Sequence, residues 1–314
     1  MEPTLDSEIG THGFSQHSKN TMRNYVVAKS CTSTISDILE GGYTIQQKYN
    51  NRYLDAYTSG DYTAATRTYQ DNDTQTWNFK IVGYVYKIQH FINGRYLDAH
   101  EYGDYSVVTR TAQNDATQEW AFYSLDAAVS SGSSVRIQQL SNRRYLDAYT
   151  TAGDKDYTVV TQPFQDNDTQ QWKITSRDHD RFTIQQKSND RYMDAYDLAS
   201  YDYNVVTRTE QTDESQDWQL TFVGGVYTIQ HKENNRYLDA WTAGLNDYNV
   251  VTRPMQGNDS QLWVVVNEGR SSYTIRQLEN LRYLDAYTDG NSDHSVVTRT
   301  KQGDDTQKWI IRKK

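Results

Sequence analysis

The sequence is poor in several residue types, and each shortage excludes a class of protein. Cys31 is the only cysteine among 314 residues, so no disulfide can form within the chain. Only three prolines occur (Pro3, Pro163 and Pro254), which excludes a proline-rich linker. No stretch approaches about 18 uninterrupted apolar residues, so a membrane-spanning helix is not expected. These shortages favour a disulfide-free globular chain that does not insert into membranes.

Leu, Ile, Val and Phe are also scarce. Only 57 residues are Leu, Ile, Val or Phe, a share below the ~20% at which disorder becomes a serious alternative. The mean hydropathy of −0.91 agrees with that low share. Disordered chains are poor in aromatic residues, however, and this one has 26 Tyr and 7 Trp. Because large amphipathic rings can fill a core when their polar atoms reach water or a partner, the composition indicates a folded chain.

The charge balance and the N-terminal residues restrict partners and location. There are 32 basic and 41 acidic residues, and the resulting net charge of −9 repels a phosphate backbone. No nucleic-acid partner is therefore expected. The first twenty residues have neither the basic start nor the apolar stretch of a secretory signal. The expected location is the cytoplasm, or the outside of the cell after release without a classical signal peptide.

Internal repetition dominates the sequence. A Leu-Asp-Ala triplet, with Met in place of Leu in the fourth copy, recurs at intervals of 43 to 49 residues. A Gln-x-Trp motif follows each triplet, with its Trp 22 to 25 residues after the Asp. The six tryptophans are Trp77, Trp120, Trp172, Trp218, Trp263 and Trp309. Six copies of one unit, numbered here as repeats 1 to 6, thus extend from about residue 43 to residue 311.

Each repeat has the pattern of β-structure. In repeat 5, residues 227–231 and 236–241 alternate apolar and polar side chains, and Val250 and Val251 begin a β-branched run. Clusters of Asn, Asp, Gly and Ser separate these runs and indicate turns. Four short strands in each of six repeats predict about 24 strands. Two architectures fit this pattern, a six-bladed propeller and a pair of β-trefoils.

The Leu-Asp-Ala triplet near the start of each repeat and the Gln-x-Trp near its end resemble the ricin-B-type β-trefoil lectins. The resemblance implies an all-β fold of two tandem β-trefoils, each made of three four-stranded repeats. Repeats 1–3 would form the first trefoil over residues 43–177, and repeats 4–6 the second over residues 178–314. Residues 1–42 precede the repeats and are expected to be a flexible or loosely docked tail.

The resemblance also implies sugar-binding residues. In these lectins the Asp of the triplet often accepts hydrogen bonds from sugar hydroxyls, a task that suits a charged acceptor. The residues at this position are Asp55, Asp98, Asp147, Asp194, Asp239 and Asp285. The alternative is that each Asp binds neighbouring backbone N–H groups at the end of its strand.

Two series of aromatic residues are candidate stacking platforms for a sugar ring. The preferred series precedes the third strand and consists of Tyr62, Tyr105, Tyr157, Tyr203, Tyr248 and His294. The other series stands two residues after each Asp and consists of Tyr57, His100, Tyr149, Tyr196, Trp241 and Tyr287. The alternative for the preferred series is that its rings only cover the barrel surface.

Amides and guanidinium groups complete the candidate sites. Where some relatives have a sugar-binding Asn, seven residues before each Trp, this chain has Gln70, Gln113, Gln165, Gln211, Gln256 and Gln302. An Arg ends the third strand of five repeats, at Arg67, Arg110, Arg208, Arg253 and Arg299, and Gln162 replaces it in repeat 3. This Arg could bind a sugar. An ion pair with the Asp of its own repeat is the favoured interpretation.

Catalytic motifs are lacking. The seven histidines show no metal-binding spacing, no glycine-rich phosphate loop follows a strand, and no Gly-x-Ser-x-Gly motif is present. No enzyme activity, cofactor or metal is therefore expected.

The predicted function is that of a lectin with several shallow sites and with glycans as partners. The resemblance implies that these sites are of the galactose or N-acetylgalactosamine type. The alternatives are a protein-binding trefoil, such as a protease inhibitor acting through the 124–134 spacer, and the glycan-targeting subunit of a toxin. The oligomeric state stays open.

Overall fold

The structure is a computed structural model that describes residues 38–125, 132, 134–152, 157–178, 181–199, 203–244 and 248–314. These residues form strands and short 3-10 helices, which confirms the predicted all-β class. No helix among the residues in these ranges is long and apolar enough to cross a membrane. The 124–134 spacer falls largely outside the described residues.

The described residues contain 22 strands, because two long strands each join the last strand of one repeat to the first strand of the next. The strands are β1 (Gly41–Gln47), β2 (Tyr53–Ala56), β3 (Ala64–Arg67), β4 (Trp77–His90), β5 (Tyr96–Ala99), β6 (Val107–Arg110), β7 (Trp120–Ser124), β8 (Ser134–Gln139), β9 (Tyr145–Ala148), β10 (Val159–Gln162), β11 (Trp172–Ser176), β12 (Phe182–Gln186), β13 (Tyr192–Ala195), β14 (Val205–Arg208), β15 (Trp218–His231), β16 (Tyr237–Ala240), β17 (Val250–Arg253), β18 (Trp263–Asn267), β19 (Ser272–Gln277), β20 (Tyr283–Ala286), β21 (Val296–Arg299) and β22 (Trp309–Lys313).

A 3-10 turn ends at the Gln of each Gln-x-Trp motif. These turns are Asp73–Gln75, Ala116–Gln118, Asp168–Gln170, Glu214–Gln216, Asp259–Gln261 and Asp305–Gln307, and a further turn covers Gly290–Ser292.

Repeats 1, 5 and 6 form one barrel, here called trefoil A. Its six strands pair in a closed ring, in the order β1, β22, β19, β18, the second half of β15 and the first half of β4. The hairpins β2–β3, β16–β17 and β20–β21 cap one end, and single bridges join them in a triangle. One hydrophobic core fills this unit and includes Trp77, Trp263 and Trp309.

Repeats 2, 3 and 4 form the other barrel, trefoil B, in the same way. Its closed ring is made by the second half of β4, then β7, β8, β11, β12 and the first half of β15. The hairpins β5–β6, β9–β10 and β13–β14 cap it. A second core includes Trp120, Trp172 and Trp218. The six Trp are fully buried, and each contributes upwards of about 1.5–3 kcal/mol by leaving water.

The prediction that repeats 1–3 and repeats 4–6 form successive barrels, over residues 43–177 and 178–314, is therefore wrong. The physical reason is that β4 and β15 do not turn back at the ends of repeats 1 and 4. Each strand continues out of one barrel into the other, and the two pair antiparallel along their whole length. Trefoil B is thus inserted between the first and second repeats of trefoil A.

Glycine permits the close approach of strands where β15 passes between the barrels. A Cβ added to Gly224 would lie 2.5 Å from the carbonyl oxygen of Val265, closer than such atoms come in proteins. A register shift lies beside it, between Phe222 and Gly224. A small apolar cluster, which includes Val85 and Val226, fills the space between the two barrels.

The end of the predicted N-terminal tail is docked onto trefoil A. Leu39 is buried in its core, and the Leu39 N–H donates a hydrogen bond to the hydroxyl of Tyr227 (3.2 Å). The Tyr227 hydroxyl is itself buried, which raises its pKa well above the usual range. Residues 1–37 of the predicted tail lie outside the described residues.

Candidate functional site

The Asp of each triplet is the third residue of a four-residue strand in a cap hairpin. Five of the six are fully buried, and Asp147 is 6% exposed. Burial raises the pKa of the carboxyl groups of Asp98, Asp147 and Asp194 above the usual range, because desolvation penalises the charged form. The triplet carboxylates thus lie beneath the surface of the cap hairpins.

The Gln-x-Trp motif makes hydrogen bonds to the triplet strand of its own repeat. In repeat 1, Gln75 donates from Nε2 to Asp55 (3.2 Å) and to the carbonyl oxygen of Thr68 (2.9 Å), and its Oε1 accepts from the backbone N–H of Gln70 (2.8 Å). Trp77 donates from its indole nitrogen to the carbonyl oxygen of Leu54 (3.0 Å). The Trp and Gln backbone bonds recur in all six repeats. The motif therefore joins the triplet strand to the following turn.

The Arg at the end of the third strand lies over the carboxylate, which confirms the predicted internal ion pair. The nitrogen–oxygen distances run from 2.9 Å for Arg208–Asp194 to 4.0 Å for Arg110–Asp98. The five pairs are Arg67–Asp55, Arg110–Asp98, Arg208–Asp194, Arg253–Asp239 and Arg299–Asp285. In repeat 3 the residue at this position is Gln162, which cannot make such a pair.

The aromatic residue two positions after the Asp covers this Arg in four repeats. The guanidinium carbon lies 4.2–4.4 Å from the ring centroid, a cation–π contact. The four pairs are Arg67–Tyr57, Arg208–Tyr196, Arg253–Trp241 and Arg299–Tyr287. These aromatics therefore lie beside the carboxylate of their own repeat.

The preferred aromatic series has a different place. These residues have left-handed backbone conformations, with φ between 51° and 56°. Each carbonyl oxygen accepts a hydrogen bond from a Thr N–H of another repeat in the same trefoil, as in Tyr105 with Thr161 (2.9 Å). The six acceptors are Tyr62, Tyr105, Tyr157, Tyr203, Tyr248 and His294. Their backbone thus helps to join the three hairpins of each cap.

A second Arg series, which sequence reasoning missed, covers the rings of those tyrosines. Arg144, for example, lies 3.7 Å above the ring of Tyr105 and donates from Nε and Nη2 to the carbonyl oxygen of Thr161 (3.1 and 2.8 Å). The same stacking occurs with Arg95, Arg191, Arg236 and Arg282. The only signal of this second Arg series in the sequence is an Arg directly before each Tyr-Leu/Met-Asp-Ala. The preferred rings are thus partly covered by a neighbouring repeat rather than grouped with their own Asp.

The predicted glutamines are held by their backbone, while their side chains lie at or near the surface. The hydroxyl oxygen of Thr117 lies 3.3 Å from Gln113 Oε1, 3.2 Å from Asp98 Oδ2 and 2.7 Å from Asp115 Oδ1. Ser215 has the same arrangement in repeat 4, with its shortest contact to Asp213 (2.6 Å). Each hydroxyl has one proton to donate, so in repeats 2 and 4 the predicted Asp and Gln are alternative acceptors for it.

Repeat 2 has an open cleft above this network. Its volume is about 450 Å³, and it is lined by Ala99, His100, Glu101, Tyr102, Arg110, Gln113, Asp115 and Thr117. The Tyr102 ring is 84% exposed at the rim. His100 replaces the usual Tyr or Trp, and no cation–π contact with Arg110 forms in this described region. Nor do the described residues contain a group of three metal-ligating side chains.

Comparisons with known proteins agree with the β-trefoil fold. Residues 73–150, 116–209 and 214–299 match the ricin-type beta-trefoil lectin domain-like family, and together these matches cover well over half of the chain. The chain belongs to this family. The β-trefoil fold of this family is the one seen in trefoil A and in trefoil B. Among curated proteins, no sequence matches the chain.

Solved structures that resemble the chain include lectins. A Polyporus squamosus lectin bound to a human-type influenza-binding epitope is 11% identical, with a TM-score of 0.42, and the match covers 70% of this chain and 98% of that one. A Macrolepiota procera ricin B-like lectin in complex with lactose is 20% identical, with a TM-score of 0.34, over 44% and 95% of the chains. An SDF2-like protein from Arabidopsis thaliana is 17% identical, with a TM-score of 0.39, over 45% and 95%.

Proposed function

We propose that this protein is a carbohydrate-binding lectin without enzymatic activity, and that it binds glycans in shallow clefts on the cap hairpins. The observation that carries the proposal is the cleft of repeat 2. There a guanidinium, an amide and a hydroxyl, from Arg110, Gln113 and Thr117, lie around a space of about 450 Å³ with Tyr102 at its rim. A sugar needs hydrogen-bonding groups for its hydroxyls and an aromatic ring for its C–H face, and this cleft has both.

The location of the cleft also favours a sugar. Two of its lining residues, Arg110 and Thr117, contact the carboxylate of Asp98, at the position where the ricin-B-type resemblance implies sugar contact. A cleft that is open and lined mainly by polar groups suits a small hydrophilic ligand better than an apolar one. We therefore assign the role of stacking platform to Tyr102 and His100 in repeat 2, in place of Tyr105, because Arg144 covers the ring of Tyr105.

The finer parts of the proposal concern valence and sugar type. Several similar clefts on one chain would bind weakly one at a time, and linked sites raise avidity by about 10²–10⁴ when the target presents several glycans. The proposed sugar class is galactose or N-acetylgalactosamine, which rests on the resemblance to ricin-B-type lectins. A lactose-bound ricin B-like lectin is among the structural neighbours.

A glycan array tests the proposal. Wild type is compared with a Tyr102→Ala/Gln113→Ala double variant, whose altered side chains lie outside both cores. Binding by the wild type and at least about tenfold weaker binding by the double variant are expected, equivalent to about 1.4 kcal/mol. The matched control is Tyr49→Ala/Met255→Ala, which removes two exposed side chains that do not line the cleft.

Two results would contradict the proposal. An array without signal for folded wild type would exclude a lectin, and equal binding by the double variant would exclude the repeat 2 cleft as the dominant site. Competition with free galactose then tests the sugar class, because galactose should displace the bound protein and glucose at the same concentration should not.

A further inference from the structure

Repeats 1 and 3 share a surface feature that the other four repeats lack. Residues 70–75 and 165–170 have the same sequence, Gln-Asp-Asn-Asp-Thr-Gln, and each stretch directly follows an aromatic residue. Tyr69 of repeat 1 is 57% exposed, and Phe164 of repeat 3 is 56% exposed. The residues at this position in the other repeats are Ala112, Glu210, Met255 and Lys301. The fold of the turn therefore does not require an aromatic ring there.

The two exposed rings are held in a similar way. The ring of Tyr69 packs against the ring of Tyr53, with 5.1 Å between the centroids and 59° between the planes. The ring of Phe164 packs against that of Tyr145, with 5.5 Å and 67°. Tilted pairs of this kind are a favourable arrangement of aromatic rings. Each ring thus has a defined orientation while more than half of the residue faces solvent.

An ion pair lies beside the ring of repeat 1. The Tyr69 hydroxyl donates a hydrogen bond to Oδ1 of Asp71 (3.3 Å), and the same oxygen lies 3.5 Å from Nζ of Lys314. Lys314 is held in place because its Nζ also donates to the carbonyl oxygen of Asn72 (2.9 Å). The Asp71 side chain is 80% exposed, so its carboxylate is accessible to a ligand. Tyr69, Asp71 and Lys314 are called here the repeat 1 patch.

The same combination occurs in repeat 3 with a different basic residue. Oδ1 of Asp166 lies 2.5 Å from Nη2 of Arg136, whose guanidinium carbon is 5.1 Å from the ring centroid of Phe164. The Asp166 side chain is 83% exposed, whereas that of Arg136 is 15% exposed. Phe164, Asp166 and Arg136 are called the repeat 3 patch. The other repeats have no carboxylate at the position of this Asp, where they carry Asn114, Thr212, Gly257 and Gly303.

The two patches lie outside the surface that forms the cleft of repeat 2. In that repeat Gln113, Asp115 and Thr117 line the cleft, and the intervening Ala112 and Asn114 do not. Ala112 and Asn114 stand where repeats 1 and 3 have the aromatic residue and its Asp. By this equivalence, the ring and the ion pair belong to a part of the turn that does not face the cleft.

The chemistry of each patch fits a neutral sugar ring. The C–H face of a sugar packs on an aromatic ring, and its hydroxyls both donate and accept hydrogen bonds. The Asp beside the ring is an acceptor and the basic residue is a donor, and hydrogen bonds to such charged groups are about twice as strong as neutral ones. Because the two charges cancel, the pair favours neither an anionic nor a cationic ligand.

We propose that the repeat 1 patch and the repeat 3 patch are carbohydrate sites additional to the clefts, each of which binds a neutral sugar ring by stacking on its aromatic residue and by hydrogen bonds to its ion pair. The choice of a carbohydrate rests on the proposed lectin function. One patch lies on trefoil A and the other on trefoil B, so a single chain presents such a site on each barrel.

The test is a titration of the full chain, followed by ¹⁵N–¹H chemical shifts, with each of four neutral disaccharides: lactose, chitobiose, maltose and mannobiose. In wild type, at least one of them should shift the backbone amides of residues 70–72 and 165–167. Tyr69→Ala should weaken the apparent affinity at residues 70–72, and Phe164→Ala that at residues 165–167, each at least about fivefold because the apolar contact with the ring is lost. Repeat 2 already has Ala at this position, so both variants should fold and melt near wild type.

Met255→Ala is the matched control. It removes an exposed apolar side chain from the same position of repeat 5, where Gly257 stands in place of the Asp, so it should leave the affinities at both patches unchanged. Asp166→Asn keeps the shape of the side chain but removes the charge of the acceptor. It should weaken binding at residues 165–167 and leave residues 70–72 as in wild type.

The outcomes separate this inference from the proposed function. If the glycan array shows binding by wild type but none of the four sugars shifts these amides, the inference is overturned and the lectin function stands on the clefts. The same conclusion follows if the shifts occur with equal affinity in Tyr69→Ala and Phe164→Ala. If folded wild type binds neither an array glycan nor any of the four sugars, the lectin function itself is overturned.

Discussion

His231 donates a hydrogen bond from Nε2 to the carbonyl oxygen of Thr74 (2.9 Å), across 157 residues of sequence. The bond joins the end of β15 in repeat 5 to the turn of repeat 1 and thereby closes trefoil A. His90 at the end of β4 makes the corresponding contact with Ser215 (3.0 Å) and closes trefoil B. In the other four repeats this place belongs to a buried Gln, such as Gln47, whose Nε2 donates to the carbonyl oxygen of Thr306 (2.8 Å).

Replacement of His231 by Leu should destabilise trefoil A. The change leaves the carbonyl oxygen of Thr74 without its buried donor, at an expected cost of about 1–3 kcal/mol. His231→Gln restores an amide donor that four repeats already use, so it should recover most of the loss. Urea unfolding monitored by Trp fluorescence measures the free energy of unfolding of both variants. Equal stability of the Leu and Gln variants would mean that the bond contributes little.

The grouping of the repeats predicts which fragment folds alone. Residues 83–223 contain all three repeats of trefoil B. They also contain the second half of β4 and the first half of β15, which close that barrel. This fragment should therefore unfold cooperatively. Residues 43–177 contain one repeat of trefoil A and two of trefoil B, so neither barrel can close. Circular dichroism melts of the two fragments compare them, and a cooperative melt for 43–177 alone would contradict the described packing.

Gly224→Ala should destabilise the junction between the trefoils. The added methyl group would lie 2.5 Å from the carbonyl oxygen of Val265, so the backbone must shift, at a cost of about 1–3 kcal/mol. Gly303→Ala is the control, because nothing lies within 4 Å of its added Cβ. That control should be neutral in thermal unfolding. A Gly224→Ala protein as stable as the control would show that the two strands can separate at little cost.

Asp147→Asn should change stability in a pH-dependent way. Burial raises the folded-state pKa of this carboxyl group, so ionisation costs more in the folded than in the unfolded protein. Stability of the wild type therefore falls as pH rises from the ordinary Asp value of about 3.9 through the raised pKa. The Asn variant does not ionise, and it should gain stability relative to wild type over that window and keep the gain at pH 7.

Urea unfolding of both proteins across the acidic range tests this prediction. Below about pH 3.9 the carboxyl group is protonated in both states, so the two proteins should then be nearly equal in stability. A stability difference that is independent of pH would contradict the assignment of the effect to the Asp147 carboxyl group.

Much of the fold was predictable because each repeat carries its own pattern. Leu146, Val159 and Trp172 are buried where the pattern of repeat 3 places them, and the same holds in the other copies. The grouping of repeats was not predictable from that pattern, since all six copies present equivalent core faces. A signal does exist in the two long strands, Trp77–His90 and Trp218–His231, which run between repeats without a polar turn.

The candidate site was predictable in part. The Asp–Arg pair follows from residues that recur together, and both belong to one hairpin. The position of Tyr105 and its relatives does not, because it depends on a left-handed backbone and on an Arg from another repeat that meets the ring only in the closed trefoil. The sequence shows that Asp147 differs from the other triplet Asp residues, because Gln162 replaces the Arg that five repeats have. Only the structure shows that this Arg pairs with the Asp of its own repeat.

The insertion of trefoil B has a consequence for the order of events during synthesis. A chain made from its N-terminus releases all of trefoil B before repeat 6 exists, so that unit can fold on the ribosome. β1 must wait for β22, which belongs to repeat 6 and pairs with β1 along five residues. Until then β1 has an unpaired edge, which is the kind of surface that promotes aggregation. The edge of β1 is thus covered by a strand that is synthesised only after all of trefoil B.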